Sequence, residues 1–233
     1  MGRGAKARQQ RFEGLREFDR RFDALAWEAG RLAGVDEAGV GPLAGPVVAA
    51  AVVLPRDFEL TELFDSKCLT ATQRRACARA IRAAALGLGV ARVSAPRIDR
   101  LNILRATLLA HRRALAALPF RPQAVVVDGR HAPRLPEGWT QVHLEAVIGG
   151  DARSLAVAAA SVIAKTTRDR IMQRLDARFP EYGFAQHKGY GTPAHREALR
   201  RHGLTPYHRR QFCGFLAAEE LWSRQAELFA EPT

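Results

Sequence analysis

With 233 residues, 47% of them hydrophobic, the chain can bury a sizeable core, which excludes a disordered tail protein. Its 36 Lys and Arg against 24 Asp and Glu leave a net charge of +12, so the expected partner is a polyanion, either nucleic acid or an anionic membrane surface. The longest apolar runs, Pro42–Pro55 and Leu155–Ala164, fall short of the roughly 18 residues that span a bilayer, and no export leader opens the chain. Three cysteines without a CxxC pair exclude a thiolate zinc site and argue against a disulfide framework, so a soluble cytoplasmic protein with no membrane partner is expected.

In chain order, residues 1–30 read as a polar, Arg-rich extension, with Met1–Gln10 expected to be disordered and Arg11–Ala29 a surface helix. Arg31–Glu37 and Pro46–Leu54 read as strands joined by Gly39, Gly41, Pro42 and Gly45. Ala71–Ala85 is a predicted helix and Gly87–Val93 a short strand. Pro96 opens a predicted long amphipathic helix to about Leu118, with Ile98, Leu101, Leu104, Leu108 and Leu115 on one stripe. Ala124–Val127 is a wholly apolar strand ending in Asp128-Gly129, and Thr140–Ile148 is another. Gly149-Gly150-Asp151 then launches an Ala-rich helix to about Phe179, followed by a Gly/Tyr/His loop and two helices, Pro193–His202 and Arg210–Phe229. Strands first, then strand–helix alternation, predict an α/β domain whose mixed sheet is covered by helices. Domain limits follow: an extension over 1–30, a catalytic domain over 31–212, and a helix and tail over 213–233.

Carboxylates at the ends of buried strands stand out in so basic a chain. Val35-Asp36-Glu37 meets a Gly-rich turn, and Val125-Val126-Val127-Asp128 repeats that placement, at the strand ends where open α/β sheets gather their ligands. If the strands are neighbours, Asp36 and Asp128 repel unless they share a proton or a cation, and oxygen-only ligation suits Mg²⁺ or Mn²⁺. Residues 36 and 37 point to opposite faces of a regular strand, so both reach one site only if the strand ends or bends there. Any one of these acids alone could merely open a turn, and Asp151 could cap the helix that follows. Their joint occurrence favours a site.

The stretch Lys165–Cys213 holds 11 Lys and Arg against 4 Asp and Glu. Lys165, Arg168, Arg170 and Arg174 precede Tyr182-Gly183-Phe184, then His187-Lys188-Gly189-Tyr190-Gly191-Thr192, then His208-Arg209-Arg210. Glycines, an aromatic and basic residues suit a phosphate-and-sugar surface, although a mobile loop has the same composition. None of the seven His shows metal-ligand spacing, and no G-x-S-x-G elbow exists.

Gly34–Ala50, with the run Asp36-Glu37-Ala38-Gly39-Val40-Gly41-Pro42, resembles the signature of the ribonuclease HII family. Asp65-Ser66-Lys67, Asp128-Gly129, Gly150-Asp151-Ala152, Ala158–Ser161, Ala164–Arg170, Tyr182-Gly183-Phe184 and His187–Thr192 resemble its further blocks in order. The resemblance implies the ribonuclease H fold, a mixed five-stranded sheet flanked by helices with a helical C-terminal portion. It also implies a metal-dependent endonuclease that cuts RNA in RNA–DNA hybrids and at ribonucleotides embedded in duplex DNA, as in ribonucleotide excision repair. Water would attack in line at two Mg²⁺ or Mn²⁺ ions, leaving a 5′-phosphate and a 3′-hydroxyl. Asp36, Glu37, Asp128 and Asp151 are implied as catalytic metal ligands. Gly39, Val40, Gly41, Lys67, Lys165, Arg168, Lys188 and Tyr190 are implied near the substrate, Tyr190 against a sugar. The family reads Gly-Arg-Gly where this chain has Gly39-Val40-Gly41, so the Arg contact to phosphate is missing. Gln225, Leu228 and Phe229 resemble a Gln-x-x-Leu-Phe peptide that binds the sliding clamp. A monomer is expected. The rival readings are a non-catalytic nucleic-acid-binding protein and a metal-dependent DNA nuclease of the same broad fold.

Overall fold

A computed structural model describes residues 3–23, 31–60 and 69–216. One five-stranded sheet in the order β3-β2-β1-β4-β5 organises them. The strands are β1 (Leu32–Ala38), β2 (Val47–Val53), β3 (Gly87–Val93), β4 (Ala124–Asp128) and β5 (His143–Val147). Strands β1, β2 and β3 pair antiparallel, whereas β4 runs parallel to β1 and β5 parallel to β4, so the sheet is mixed as expected.

Helices cover both faces because the strands are apolar on both. Every residue of β2 is buried. Ala50 and Val52 face α2 (Ala71–Ala84) and α5 (Leu155–Arg178), while Val47, Ala49, Ala51 and Val53 face α3 (Ala95–Leu101) and α4 (Ile103–Ala116). Helix α5 is the keystone of its face: Leu155 to Ala160 and Val162 to Ala164 are all buried. It sits so close to β1 that a Cβ on Gly34 would stand 2.1 Å from the Ala156 carbonyl carbon, which only glycine avoids. Short helices α6 (Phe184–His187) and α7 (Pro193–His202) follow and build a separate apolar cluster around Met172, Tyr182 and Phe184.

Three expectations, and one alternative reading, need correction. Helix α1 spans Arg3–Arg20, so the segment expected to be disordered is mostly helical; Arg, Ala, Lys and Gln there are good helix formers, and Phe12 and Leu15 bury against the domain. Its Asp19 Oδ2 accepts the Ala156 N–H at 2.9 Å, adding a second cap to α5 beside that from Ser154. Ser154, and not Asp151, is therefore the capping residue, and Asp151 lies in a separate 3₁₀ turn, Gly150–Ala152. The single helix expected from Pro96 to Leu118 is two, because Asn102 takes φ 67° and its Oδ1 accepts the Arg105 N–H, stopping α3 and capping α4. The break rotates the stripe, so Leu104 is exposed while Thr107 and His111 are buried. Where the last helix was expected, the chain opens with a 3₁₀ turn, Arg210–Phe212, and most of the helix expected to Phe229 lies outside the described residues.

Candidate active site

Two of the four expected acids, Asp36 and Asp128, stand side by side at one end of the sheet, and the turn that carries Asp151 is tied to Asp128. In the parallel pairing of β1 and β4, Val35 lies opposite Val127, so Asp36 and Asp128 are the next residues on adjacent strands. Parallel neighbours share a face, and strands lie about 4.8 Å apart. Both acids point to the α5 side. Asp36 is 5% exposed, with its carboxyl bonded to the Glu37 N–H at 2.6 Å and to the Ser161 side chain of α5. Burial pushes its pKa well above the ordinary carboxylate range, with Glu37 and Asp128 adding repulsion. Asp128 Oδ1 accepts the Gly150 N–H at 2.7 Å, which ties the strand end to the turn that carries Asp151.

Glu37 reaches the site differently from the expected bend. Strand β1 stays paired through Ala38, so Glu37 leaves by the opposite face toward α4. There its Oε2 accepts a 2.8 Å hydrogen bond from His111 Nε2, and His111 is buried. Glu37 still borders a cleft of about 410 Å³ shared with Gly39, Val40, Gly41, Ser161, Lys165 and Tyr190. Among the described residues no three His, Cys, Asp or Glu side chains close into a ready cation shell. The donor set nonetheless fits a hard divalent cation: it is all oxygen, and a cation would relieve the repulsion that raises Asp36.

Two buried arginines shape the glycine turn above these acids. Arg168 is 1% exposed and donates to the carbonyls of Pro46, Lys188 and Ala44 at 3.0–3.1 Å. Arg209 is 0% exposed and donates to those of Gly39, Val40 and Gly45 at 2.6–3.1 Å. Burial and the Arg168 charge push the Arg209 pKa down to about 9, which leaves it charged at neutral pH. The expected contact of Arg168 with substrate is thus corrected: its guanidinium is spent inside the protein. Since no peptide bond among the described residues is cis, the amides of Val40 and Gly41 point opposite to the Gly39 and Val40 carbonyls. Arg209 pulls those carbonyls inward, so the two N–H groups turn away from it. Val40, 40% exposed, lines the cleft beside them.

Tyr190 is 47% exposed and lies over Gly41 at the cleft wall. Its backbone is set by a directional chain of histidines. The Thr205 N–H donates to His208 Nδ1 at 2.9 Å, so His208 carries its proton on Nε2 and donates to His195 Nε2 at 3.0 Å. His195 Nδ1 then donates to the Tyr190 carbonyl at 2.9 Å. His187 stacks on His195 with centroids 4.3 Å apart. Burial is the main cause that lowers His195 and His208 to about 4, so both are neutral at pH 7. Lys165 lines the cleft but is paired with Asp169 at 2.8 Å, and Lys188 Nζ turns back to the Ala185 carbonyl. Lys67 lies outside the described residues. Sequence reasoning gives no individual role to Ser161, His111 or Arg209: Ser161 closes a family-like block, Arg209 reads with the basic surface, and His111 has as its signal a helical spacing with the small residues of α4 that places it on the buried stripe.

The ribonuclease HII family model matches residues 33–215. The chain is 50% identical over 208 residues to a ribonuclease HII of Geobacillus thermodenitrificans, covering 89% of this chain and 77% of that one. Among solved structures, ribonuclease H2 from Pyrococcus horikoshii superposes with a TM-score of 0.64 at 28% identity, covering 81% of this chain and 97% of that one. The PCNA:RNase HII complex from Archaeoglobus fulgidus gives a TM-score of 0.64 at 29% identity, covering 78% of this chain and 93% of that one.

The histidine chain makes stability depend on pH. Between about 6.5 and about 4 the unfolded chain binds protons that the folded His195–His208 pair refuses, so stability should fall as pH drops through that window. Buried Asp19, raised to about 6, titrates there with the opposite sign, so the readout is a difference. Denaturant midpoints of the parent and of His208→Gln, compared from pH 7 to 4, should converge as pH falls. Parallel curves for the two proteins would contradict the assignment.

Proposed function

The chain belongs to the ribonuclease HII family, and we propose that it cuts RNA in RNA–DNA hybrids and at single ribonucleotides embedded in duplex DNA. It is a metal-dependent endoribonuclease. The observation that carries the finer reading is the pairing of β1 with β4, which sets Asp36 beside Asp128 near a glycine turn whose Gly39 and Val40 carbonyls are bound by Arg209. Asp36, Glu37, Asp128 and Asp151 would hold Mg²⁺ or Mn²⁺. Bound divalent ions supply a nucleophilic water at neutral pH and stabilise the leaving 3′-oxygen.

The chain's own groups do the rest. Ser161 and the Glu37 amide orient the Asp36 carboxyl, His111 holds Glu37, and the Gly150 amide holds Asp128. Outward amides at Val40 and Gly41 are suited to a ribose 2′-hydroxyl, the group that separates RNA from DNA. The exposed ring of Tyr190 beside Gly41 is suited to packing on a sugar. In-line attack by water would leave a 5′-phosphate and a 3′-hydroxyl. Free Cys77 and Cys213 accord with a cytoplasmic setting, and no helix among the described residues is long and apolar enough to cross a membrane.

A sliding clamp is a further proposed partner, through Gln225, Leu228 and Phe229, which lie outside the described residues. Support comes from the Archaeoglobus fulgidus neighbour, solved with PCNA. Calorimetric titration of the clamp should give heat with the full chain and none with a 1–224 truncation; equal heats would end the proposal.

The activity test is a panel of matched duplexes: all DNA, one embedded ribonucleotide, and a full hybrid. Cleavage of the last two alone is expected. Asp36→Asn should lower turnover by orders of magnitude while hybrid binding persists, since removing negative charge eases phosphate approach. Near-normal cleavage by that variant would overturn the assignment of the acids.

Val40 gives a separate expectation. A guanidinium there would add a charge-assisted bond to phosphate, worth about 1.5–3 kcal/mol, or roughly ten- to hundredfold in affinity. Its backbone is already fixed by Arg209 and its side chain already faces the cleft. Val40→Arg should therefore tighten binding of the one-ribonucleotide duplex and steepen its salt dependence by about one phosphate contact. An unchanged salt slope would mean that another residue holds that phosphate.

A further inference from the structure

Beside the catalytic cleft, and sharing Arg74 with it, lies a second cleft of about 260 Å³ between α2 and α5. Arg75, Arg79 and Arg82 line it from α2 at helical spacing that puts them on one stripe. Arg170 of α5 and Lys188 complete the wall. The one acid in the lining, Asp169, is held by Lys165 in a 2.8 Å ion pair. Packing cations around one hollow costs energy unless an anion enters. Arg82 registers that cost: burial lowers its pKa, and the Arg170 charge lowers it further.

The position of the cleft limits what it can hold. Ser161, beside Asp36, and Gln173, at the far wall, are both on α5. At about 1.5 Å rise per residue they stand roughly 18 Å apart along the helix. Phosphates of one strand follow each other at about 3.4 Å along a duplex, so the far wall matches a phosphate roughly five nucleotides from the bond cut. We propose that this α2–α5 cleft is a second anchoring site, which grips the phosphodiester backbone of the duplex flanking the cut on one side. The proposal rests on the substrate reading above. It assigns the α2 arginines a role in affinity and footprint and none in the chemical step.

Arg75 and Arg79 are exposed, so the double variant Arg75→Gln/Arg79→Gln keeps the fold, which a thermal melt checks. Binding would be measured across a salt series on an all-DNA duplex, and cleavage kinetics on a one-ribonucleotide duplex with long flanks. Two further substrates would have one flank, 5′ or 3′, trimmed to two base pairs. For two lost phosphate contacts the slope of log affinity against log salt should become shallower by about 1.8. KM on the long substrate should rise several-fold with kcat unchanged. Trimming the flank on one side should weaken the parent to the level of the variant and leave the variant unaffected. An unchanged salt slope, or an equal loss on both trimmed substrates, overturns the proposal. A parent that cuts no ribonucleotide substrate would instead sink the substrate reading, while the all-DNA salt series would still test the cleft.

Discussion

Two buried guanidinium groups hold the glycine turn, and the geometry of the site depends on them. Taking a charge out of water costs several kcal/mol, and the interior returns that only when every donor is satisfied. In Arg168 and Arg209 every guanidinium nitrogen is bonded to a backbone carbonyl, from Gly39, Val40, Ala44, Gly45, Pro46 and Lys188. The same packing explains two of the glycines. A Cβ at Gly39 would stand 2.0 Å from Arg168 Nε, and one at Gly45 would stand 2.4 Å from the Met172 sulfur. Both residues also have positive φ, at 98° and 85°. The glycines of this motif therefore make room for side chains packed behind the turn, Arg168 at Gly39 and Met172 at Gly45.

The sheet supplies the complementary half. The crossover from antiparallel to parallel pairing falls at β1, so the C-terminal ends of β1 and β4 emerge side by side carrying Asp36 and Asp128. Close contact of α5 with Gly34 at Ala156 and Val157 then brings Ser161, little more than one turn further along the helix, to Asp36. A chain of +12 thus concentrates its negative charge where a cation is needed and leaves its positive charge for the strands on either side.

Much of this was legible because it is local. Strand β3 and helix α7 match their expected limits, and Asp128 does end a wholly apolar strand, as its sequence places it. What escaped is what depends on distant partners. Arg168 sits in a run of basic residues that reads as a surface for substrate, and nothing near it in sequence tells that Pro46 and Ala44 wait 122 and 124 residues away. The regularity of β1 through Glu37 was open because Gly39 and Gly41 permit a bend; pairing with Ala49 removes it, and His111 takes the carboxylate on the other face. Asn102 was a local signal hidden within a strong apolar period.

The segment Tyr207–Arg209 joins these elements. It pairs with the glycine turn through a bridge between His208 and Ala44, with the Gly45 N–H on the Tyr207 carbonyl and the Arg209 N–H on the Leu43 carbonyl. Successive residues of an extended chain point to opposite sides. His208 accordingly reaches His195 and, through it, the backbone of Tyr190, while Arg209 reaches the carbonyls of Gly39 and Val40. One short stretch thus sets both the aromatic wall and the amide edge of the cleft. Any displacement of it moves the two together, so their spacing is fixed by covalent neighbours and not by the flexibility of either loop. That coupling suits the recognition of a single sugar, where a ring on one side and two amides on the other must arrive in register.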